Sequence, residues 1–420
     1  MDKGNKTVYS NVAMQYGFVA ARYVFPLILL PYLARCLGSE SYGIYAYIVS
    51  MMLFVQTVAD FGFNQAATKE IVENRSGVRA CCEILTSATC AKSILVLVAG
   101  IIVLAVSCQV ELVKHDLSCV FVAFAGVVCM VGIPDFVFMG FEKMGVITGR
   151  FVASKTVSTS LILVFVRGPE DLLLLFCFDS LASLFAASLS WAAVVRRFGL
   201  VLVPVSLQLV ARAFFGAFPF FVSTTAVAVF NALATILIGV VLDDATQVAY
   251  WSVSVTAINA VLSLYNPIAN ALYPYMVHSG NMRLFLRFFI AGTFAAAAGS
   301  VLFACLSGYI MFVLGGEGYV AGSFILVDLA PVLAFAYPAL MLGNPLLGAA
   351  GESGALARSS TITAVIYTVG LLALIVLNVF TIQMVCVCRC LAEICLCLVR
   401  VCYARKAFFL RGPKGIERRN

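Results

Sequence analysis

The sequence predicts an all-α integral membrane protein with about twelve transmembrane helices and both termini cytoplasmic. Three observations predict it. The 420-residue chain is 63% hydrophobic and only 11% charged, whereas soluble domains carry about 25% charged residues. So few charges cannot cover a water-facing surface, and lipid must take water's place. Apolar segments of the ~20 residues needed to cross ~30 Å of hydrocarbon recur along the whole chain. The basic residues between those segments fall on alternate sides. Helices are favoured over a barrel because stretches such as 94–106 and 365–379 are apolar throughout, without the period-two alternation of barrel strands.

The first span, near 11–35, follows Lys3 and Lys6. It contains Arg22 and lacks a small-residue cleavage site, so it is expected to stay in the mature protein. Arg22 stands about eleven residues in, or ~16 Å at 1.5 Å per residue. That is too deep to snorkel easily. Asn11, Gln15 and Arg22 share one helix face, which reads either as a lumen wall or as a buried ion pair. The next spans lie near 43–67, 87–107, 117–139, 151–167 and 171–195, and they hold Asp60, Lys92, Asp135, Lys155 and Asp179 in that order. Lys92 and Lys155 lie near inner helix ends, where they either snorkel or meet a ligand. Each of the three aspartates either pairs with a cation or serves ion coupling or gating.

The second set of spans lies near 213–241, 247–273, 288–311, 322–347, 359–380 and 382–403. The eighth carries Ser252, Thr256, Asn259, Ser263, Asn266 and Asn270 at steps of 4, 3, 4, 3 and 4. That spacing puts neutral hydrogen-bonding groups on one face, able to meet sugar hydroxyls or simply to pack against another helix. Arg389 and Glu393 are four apart in the last span, a spacing that suits a local pair. Pro26, Pro219, Pro267, Pro338 and Pro345 mark expected kinks. Of the fifteen cysteines, Cys388, Cys395 and Cys402 follow a seven-residue step. That fits a packing seam better than a metal site, which needs a tetrahedral ligand set one straight helix cannot supply.

The Lys and Arg pattern sets the orientation. With the N-terminus inside, the inner segments hold Lys3, Lys6, Lys69, Arg75, Arg79, Lys143, Arg150, Arg196, Arg197, Arg212, Arg283, Arg287, Arg358 and the tail from Arg400. The outer ones hold Arg35, Lys114 and Arg167, with acids such as Glu111, Asp116, Asp243 and Asp244. An even number of crossings satisfies this bias. The net charge of +7 is therefore a topology signal, and no nucleic-acid partner is expected. No Walker sequence occurs, and His115 and His278 are far apart. No cofactor, metal or catalytic residue is expected, and the chain is not read as an enzyme. Tyr45 and Tyr250 each open a span after a short acidic outer loop, an offset of about half the chain that hints at two similar halves.

The N-terminal third then adds a family resemblance. Pro26-Leu-Ile-Leu-Leu-Pro31 leads to Leu37-Gly38-Ser-Glu40-Ser-Tyr42-Gly43. Ala59-Asp60-Phe61-Gly62-Phe63-Asn64 follows, with Thr68-Lys69-Glu70 and Arg75. A second patch runs from Pro134-Asp135-Phe136 to Gly140-Phe141-Glu142-Lys143-Met144. This resembles the Wzx flippases of O-antigen, the polysaccharide-export branch of the multidrug/oligosaccharidyl-lipid/polysaccharide exporters. The resemblance implies two six-helix lobes, 1–200 and 201–403, with a basic cytoplasmic tail, 404–420. It implies flipping of undecaprenyl-pyrophosphate-linked O-antigen repeat units across the bacterial inner membrane. The partners would be the lipid-linked oligosaccharide, membrane lipid, and the polymerase and chain-length regulator of the same pathway. Arg22, Lys92, Lys155 and Arg389 would face the pyrophosphate or anionic sugar, and Asn259, Ser263, Asn266 and Asn270 the sugars. Asp60, Gly62 and Arg75 would form a gate or folding element. The competing readings are a drug or cation antiporter of the same superfamily and a membrane O-antigen polymerase or ligase.

Overall fold

The computed structural model describes residues 3–228 and 232–411, with the side chains of 3–13, 222–228, 353 and 407–411 left out. The side chains of Lys3, Lys6 and Asn11, and most of the basic tail, therefore lie outside the described residues. Every regular element among those described is helical. In chain order they are α1 (Lys3–Asp60), α2 (Phe63–Glu73), α3 (Val78–Ser107), α4 (Glu111–Lys114), α5 (Leu117–Val131), α6 (Asp135–Gly140) and α7 (Met144–Phe165). They continue as α8 (Leu172–Phe198), α9 (Leu207–Ala228), α10 (Ala234–Leu242), α11 (Ala245–Ser263), α12 (Asn266–Ser279), α13 (Met282–Cys305) and α14 (Ser307–Gly315). The last are α15 (Ser323–Met341), a π-helical segment (Leu342–Gly348), α16 (Ser353–Val376) and α17 (Ile382–Arg411). Nine helical stretches of the described residues are long and apolar enough to cross a membrane. The protein is an all-α, multi-pass integral membrane protein. Its chain forms two compact units, Met1–Ala245 and Thr246–Asn420. The first unit includes α9 and α10.

Several expected spans are subdivided, each for a local reason. The 58 residues of α1 would reach ~87 Å as one rod, nearly three times the ~30 Å hydrocarbon layer. The break is Gly38, at φ 73° and ψ 175°, and not Pro26 or Pro31, which sit within the helix. The fourth expected span splits into α5 and α6 at Gly132-Ile133-Pro134. The eighth splits into α11 and α12, because Pro267 has no N–H to continue the helical ladder. The tenth gives way after Met341 to the π-helical segment, with Gly343 non-helical at ψ −108° and Pro345 beside it.

In the first unit, the Asp60-Phe61-Gly62 corner turns α1 into α2. Phe61 and Gly62 both take positive φ, 41° and 76°. A Cβ on Gly62 would stand 2.6 Å from Phe220 Cβ and 2.8 Å from Phe221 N, so only glycine fits. The Phe61 ring stacks on Phe214 and Phe221 at 4.3 and 4.2 Å between centroids. This apolar cluster packs α9 against α2 and α3. In the second unit, α15 is the central helix, packed between α13 and α17. Tyr337 Oη donates to Phe288 O at 2.9 Å, and Ser300 Oγ to Ala330 O at 2.6 Å. Both bonds tie α13 to α15.

Candidate translocation site

A charge at membrane depth needs a partner or a wet surface, so the placement of each intramembrane charge bears on function. Arg22 lies in the first half of α1 and is exposed. Among the described residues no carboxylate lies within ion-pair distance of it.

Three ion pairs link helices of the first unit. Lys92 of α3 is almost fully buried, its side chain 4% exposed. Its Nζ donates to Asp60 Oδ1 at 2.9 Å, Asn64 Oδ1 at 3.4 Å and Val131 O at 3.5 Å. A lysine has three N–H donors, and all are taken. The Phe136 ring adds a cation–π contact at 5.8 Å. Lys92 and Asp60, expected from sequence in separate roles, are thus one pair.

The second pair revises an expected position. Arg150 was expected in an inner loop, but α7 begins earlier, at Met144, and Arg150 is buried within it. Its Nη1 reaches Asp135 Oδ1 at 2.8 Å and Ser190 Oγ at 2.7 Å, and its Nη2 reaches Asp135 Oδ2 at 3.2 Å. Two-pronged pairing of this kind fixes orientation as well as charge. Five residues on, Lys155 Nζ donates to Asp179 Oδ1 at 2.7 Å, and Ser158 Oγ donates to the same oxygen at 3.0 Å. This third pair is open, with side chains 33% and 40% exposed.

The α5–α6 break sits beside the first two pairs. A helix end leaves carbonyls without helical donors. Here Lys92 Nζ covers Val131 O, and Trp191 Nε1 donates to Gly132 O at 3.0 Å. The break is therefore capped by side chains from α3 and α8.

In the second unit, Arg389 Nη2 pairs with Glu393 Oε1 at 3.0 Å, as the four-residue spacing anticipates, and stands over the Tyr367 ring at 5.9 Å. Arg400, expected in the basic tail, is instead buried in α17. Its Nη1 donates to Ala339 O at 2.6 Å, its Nε to Ser359 Oγ at 3.3 Å and its Nη2 to Ser360 Oγ at 3.2 Å. Asp328 of α15, outside the set of charges singled out from the sequence, is half-buried. Its depth in an apolar segment was the available signal.

The polar stripe is divided by the α11–α12 turn. Ser252, Thr256, Asn259 and Ser263 lie on α11 and are half-buried, while Asn266 and Asn270 lie on α12 and are exposed. Thr256 and Ser263 turn back on their own helix, donating to Ser252 O at 2.8 Å and Ala260 O at 2.6 Å. The amides of Asn259, Asn266 and Asn270 make no hydrogen bond among the described residues.

Residues 8–279 match the family model described as "Polysaccharide biosynthesis protein", a stretch that contains the motifs read above as flippase-like. The chain is 29% identical over 278 residues to a protein of Escherichia coli (strain K12) named "Putative O-antigen transporter", across 65% of this chain and 66% of that one. A Shigella dysenteriae protein of the same name is 22% identical over 268 residues, across 63% and 66%. The chain thus spans just under two thirds of the length of these curated relatives. Among solved structures, "Lipid II flippase MurJ, inward closed conformation" superposes with a TM-score of 0.72 at 12% identity, over 95% of this chain and 89% of that one. An inward-facing multidrug resistance MATE family transporter of the MOP superfamily superposes at 0.63 and 11%, over 97% and 96%. At such identities the likeness shows the fold alone. The match over residues 8–279 shows the family: this chain belongs to the polysaccharide biosynthesis proteins.

Proposed function

From membership of the polysaccharide biosynthesis family, we propose that this chain is a flippase. It carries undecaprenyl-pyrophosphate-linked O-antigen, or a related repeat unit, across the bacterial inner membrane. The observation that carries this reading is Arg22, a guanidinium deep in α1 with no ion pair among the described residues. Lys92, Arg150 and Arg389 each have a carboxylate of their own, which leaves Arg22 as the better candidate for an anionic substrate. Lys155, in the open pair with Asp179, stands second.

The chemistry required is solvation. A pyrophosphate and several sugars must pass hydrocarbon without covalent change. A cation offsets the phosphate charge, and amides such as Asn259, Asn266 and Asn270 replace water on the hydroxyls. The lipid tail remains in the bilayer. Twelve crossings follow if α1 crosses twice about Gly38, and if α7 and the α9–α10 stretch each cross once. An antiporter of small cations gains no support from the acids of the first unit, since Asp60, Asp135 and Asp179 all carry cationic partners.

The test is Arg22→Ala in a strain lacking its own flippase. We expect loss of surface O-antigen with protein abundance unchanged. Normal display would sink the role of Arg22.

A further inference from the structure

We propose that Asp328 is the proton carrier of the transport cycle, a step that rests on the flippase reading above and extends it to its energy source. The argument begins with the acids at membrane depth. Asp60, Asp135, Asp179 and Glu393 each have a Lys or Arg nitrogen within 2.7–3.0 Å. Asp328 differs. Among the described residues no cation lies within ion-pair distance of it, and its carboxyl oxygens accept no hydrogen bond.

Its surroundings make the difference consequential. Asp328 lies in α15, eleven residues after Glu317 and within the apolar stretch Glu317–Gly348, which is the most buried of the nine candidate spans. It is half-buried, between Val327 and Leu329. On α17, Cys390 Sγ stands 3.2 Å from the backbone oxygen of Asp328, one turn beyond Cys386. Of the other charged groups of α17, Arg389 and Glu393 are engaged with each other, Arg400 is held at Ala339, eleven residues further along, and Arg405 and Lys406 follow Cys390 by fifteen residues or more and are exposed. On α13 the charges are Arg283 and Arg287. Their turns pack near Phe288, whose carbonyl meets Tyr337, more than two turns of α15 away from Asp328. The remaining charge on the linked outer segment is Glu317, which is exposed.

An ionised carboxylate in such a place is costly unless something neutralises it. The occupant that fits is a proton. A hard metal cation such as sodium would require several oxygen ligands, and among the described residues no cluster of His, Cys, Asp or Glu could hold an ion. The side chain held at the Asp328 backbone oxygen is the Cys390 thiol, and a thiol serves a hard cation poorly. The step is simple and balanced. The carboxylate oxygen takes one proton when α15 faces the acidic side, becomes a neutral acid, and returns that proton to the other side.

The test reads protonation without any lipid-linked sugar, so its result is separate from that of the flippase reading. Infrared difference spectra of the purified protein in lipid nanodiscs are recorded on stepping from alkaline to acid buffer, for wild type, Asp328→Asn, Asp328→Glu and Asp179→Asn. We expect a carboxylic-acid carbonyl band in wild type, its loss in D328N, a shifted band in D328E, and retention in D179N. Removing an unpaired acid should not harm folding, so thermal unfolding of D328N should match wild type. If D328N does not fold, the D328E spectrum decides, since an unshifted band places the proton elsewhere. A wild-type band in folded D328N, or a band in wild type that sodium abolishes at constant pH, overturns the proposal.

Discussion

The two members of the Lys92–Asp60 pair are not equally placed in the protein, and this has a measurable consequence. Lys92 is 4% exposed and Asp60 is 29% exposed. Removing the acid strands an ammonium with only Asn64, a carbonyl and a ring for company. Removing the lysine leaves a carboxylate that can still be reached by water. Breaking a buried pair costs about 3–5 kcal/mol, so Asp60→Leu should fall in that range and Lys92→Met should cost less. The double variant should recover part of the loss, because neither charge is then stranded. Thermal unfolding in detergent measures the order, and equal costs for the two single variants would contradict it. The sequence announced that both residues matter, since each is a charge in an apolar run. It did not announce that they meet, because 32 positions and a helix reversal separate them. Arg150 and Arg400 were hidden for a different reason. Both lie at the ends of apolar runs, where a shift of a few residues in the helix boundary moves a charge from loop to buried helix.

At the scale of the helix, apolar segments marked the long helices and the prolines marked the breaks near Pro267 and Pro345, while the breaks at Gly38 and Gly132 escaped both. Hydropathy does not register Gly38 or Gly132, since neither changes the apolar count. What marks them is backbone chemistry, and the α5–α6 break shows how a membrane protein tolerates one. Unsatisfied carbonyls in hydrocarbon are expensive, so the break needs donors from neighbouring helices, which Lys92 and Trp191 supply. Trp191→Phe keeps the ring and removes the N–H. It should cost about 1–3 kcal/mol, the penalty for a buried acceptor left without its donor. Amide hydrogen exchange should rise at residues around 130–136 and stay at wild-type rates in α13 and α15 of the other unit. Uniform acceleration across both units would show that the indole does no local capping. The motif Asp60-Phe61-Gly62 has a similar explanation. Its glycine is demanded by positive φ and by the closeness of Phe220 and Phe221, a constraint that comes from the backbone and not from hydropathy.

For the whole molecule, orientation is the property that the charges were first read for, and the corrected charge positions sharpen it. Arg150 and Arg400, buried within α7 and α17, can be set aside from the inner count. The side expected to be inner still holds Lys69, Arg75, Arg79, Lys143, Arg196, Arg197 and Arg212 in the first unit alone. Arg75 also ties two of these segments together, through Glu142 at 2.7 Å. Such an exposed pair adds only ~0–1 kcal/mol, but it requires the turn after α2 and the turn after α6 to lie on one side. The same side must then hold Lys143, Arg79 and Lys69. The opposite ends of α3 and α5 are joined through α4, where Lys114 is already matched by Glu111 at 2.7 Å. Basic residues unmatched by acids are what hold a loop in the cytoplasm, so the α4 end should be exported. Reporter fusions after Asp116 and after Asp244 should both read as periplasmic, and one after Arg79 as cytoplasmic. Asp116 and Asp244 are separated by an even number of crossings only if α7 spans the membrane despite Arg150 and Lys155. A cytoplasmic signal at Asp244 with a periplasmic one at Asp116 would therefore mean that the region from α5 to α10 crosses an odd number of times, and the twelve-crossing arrangement would fall.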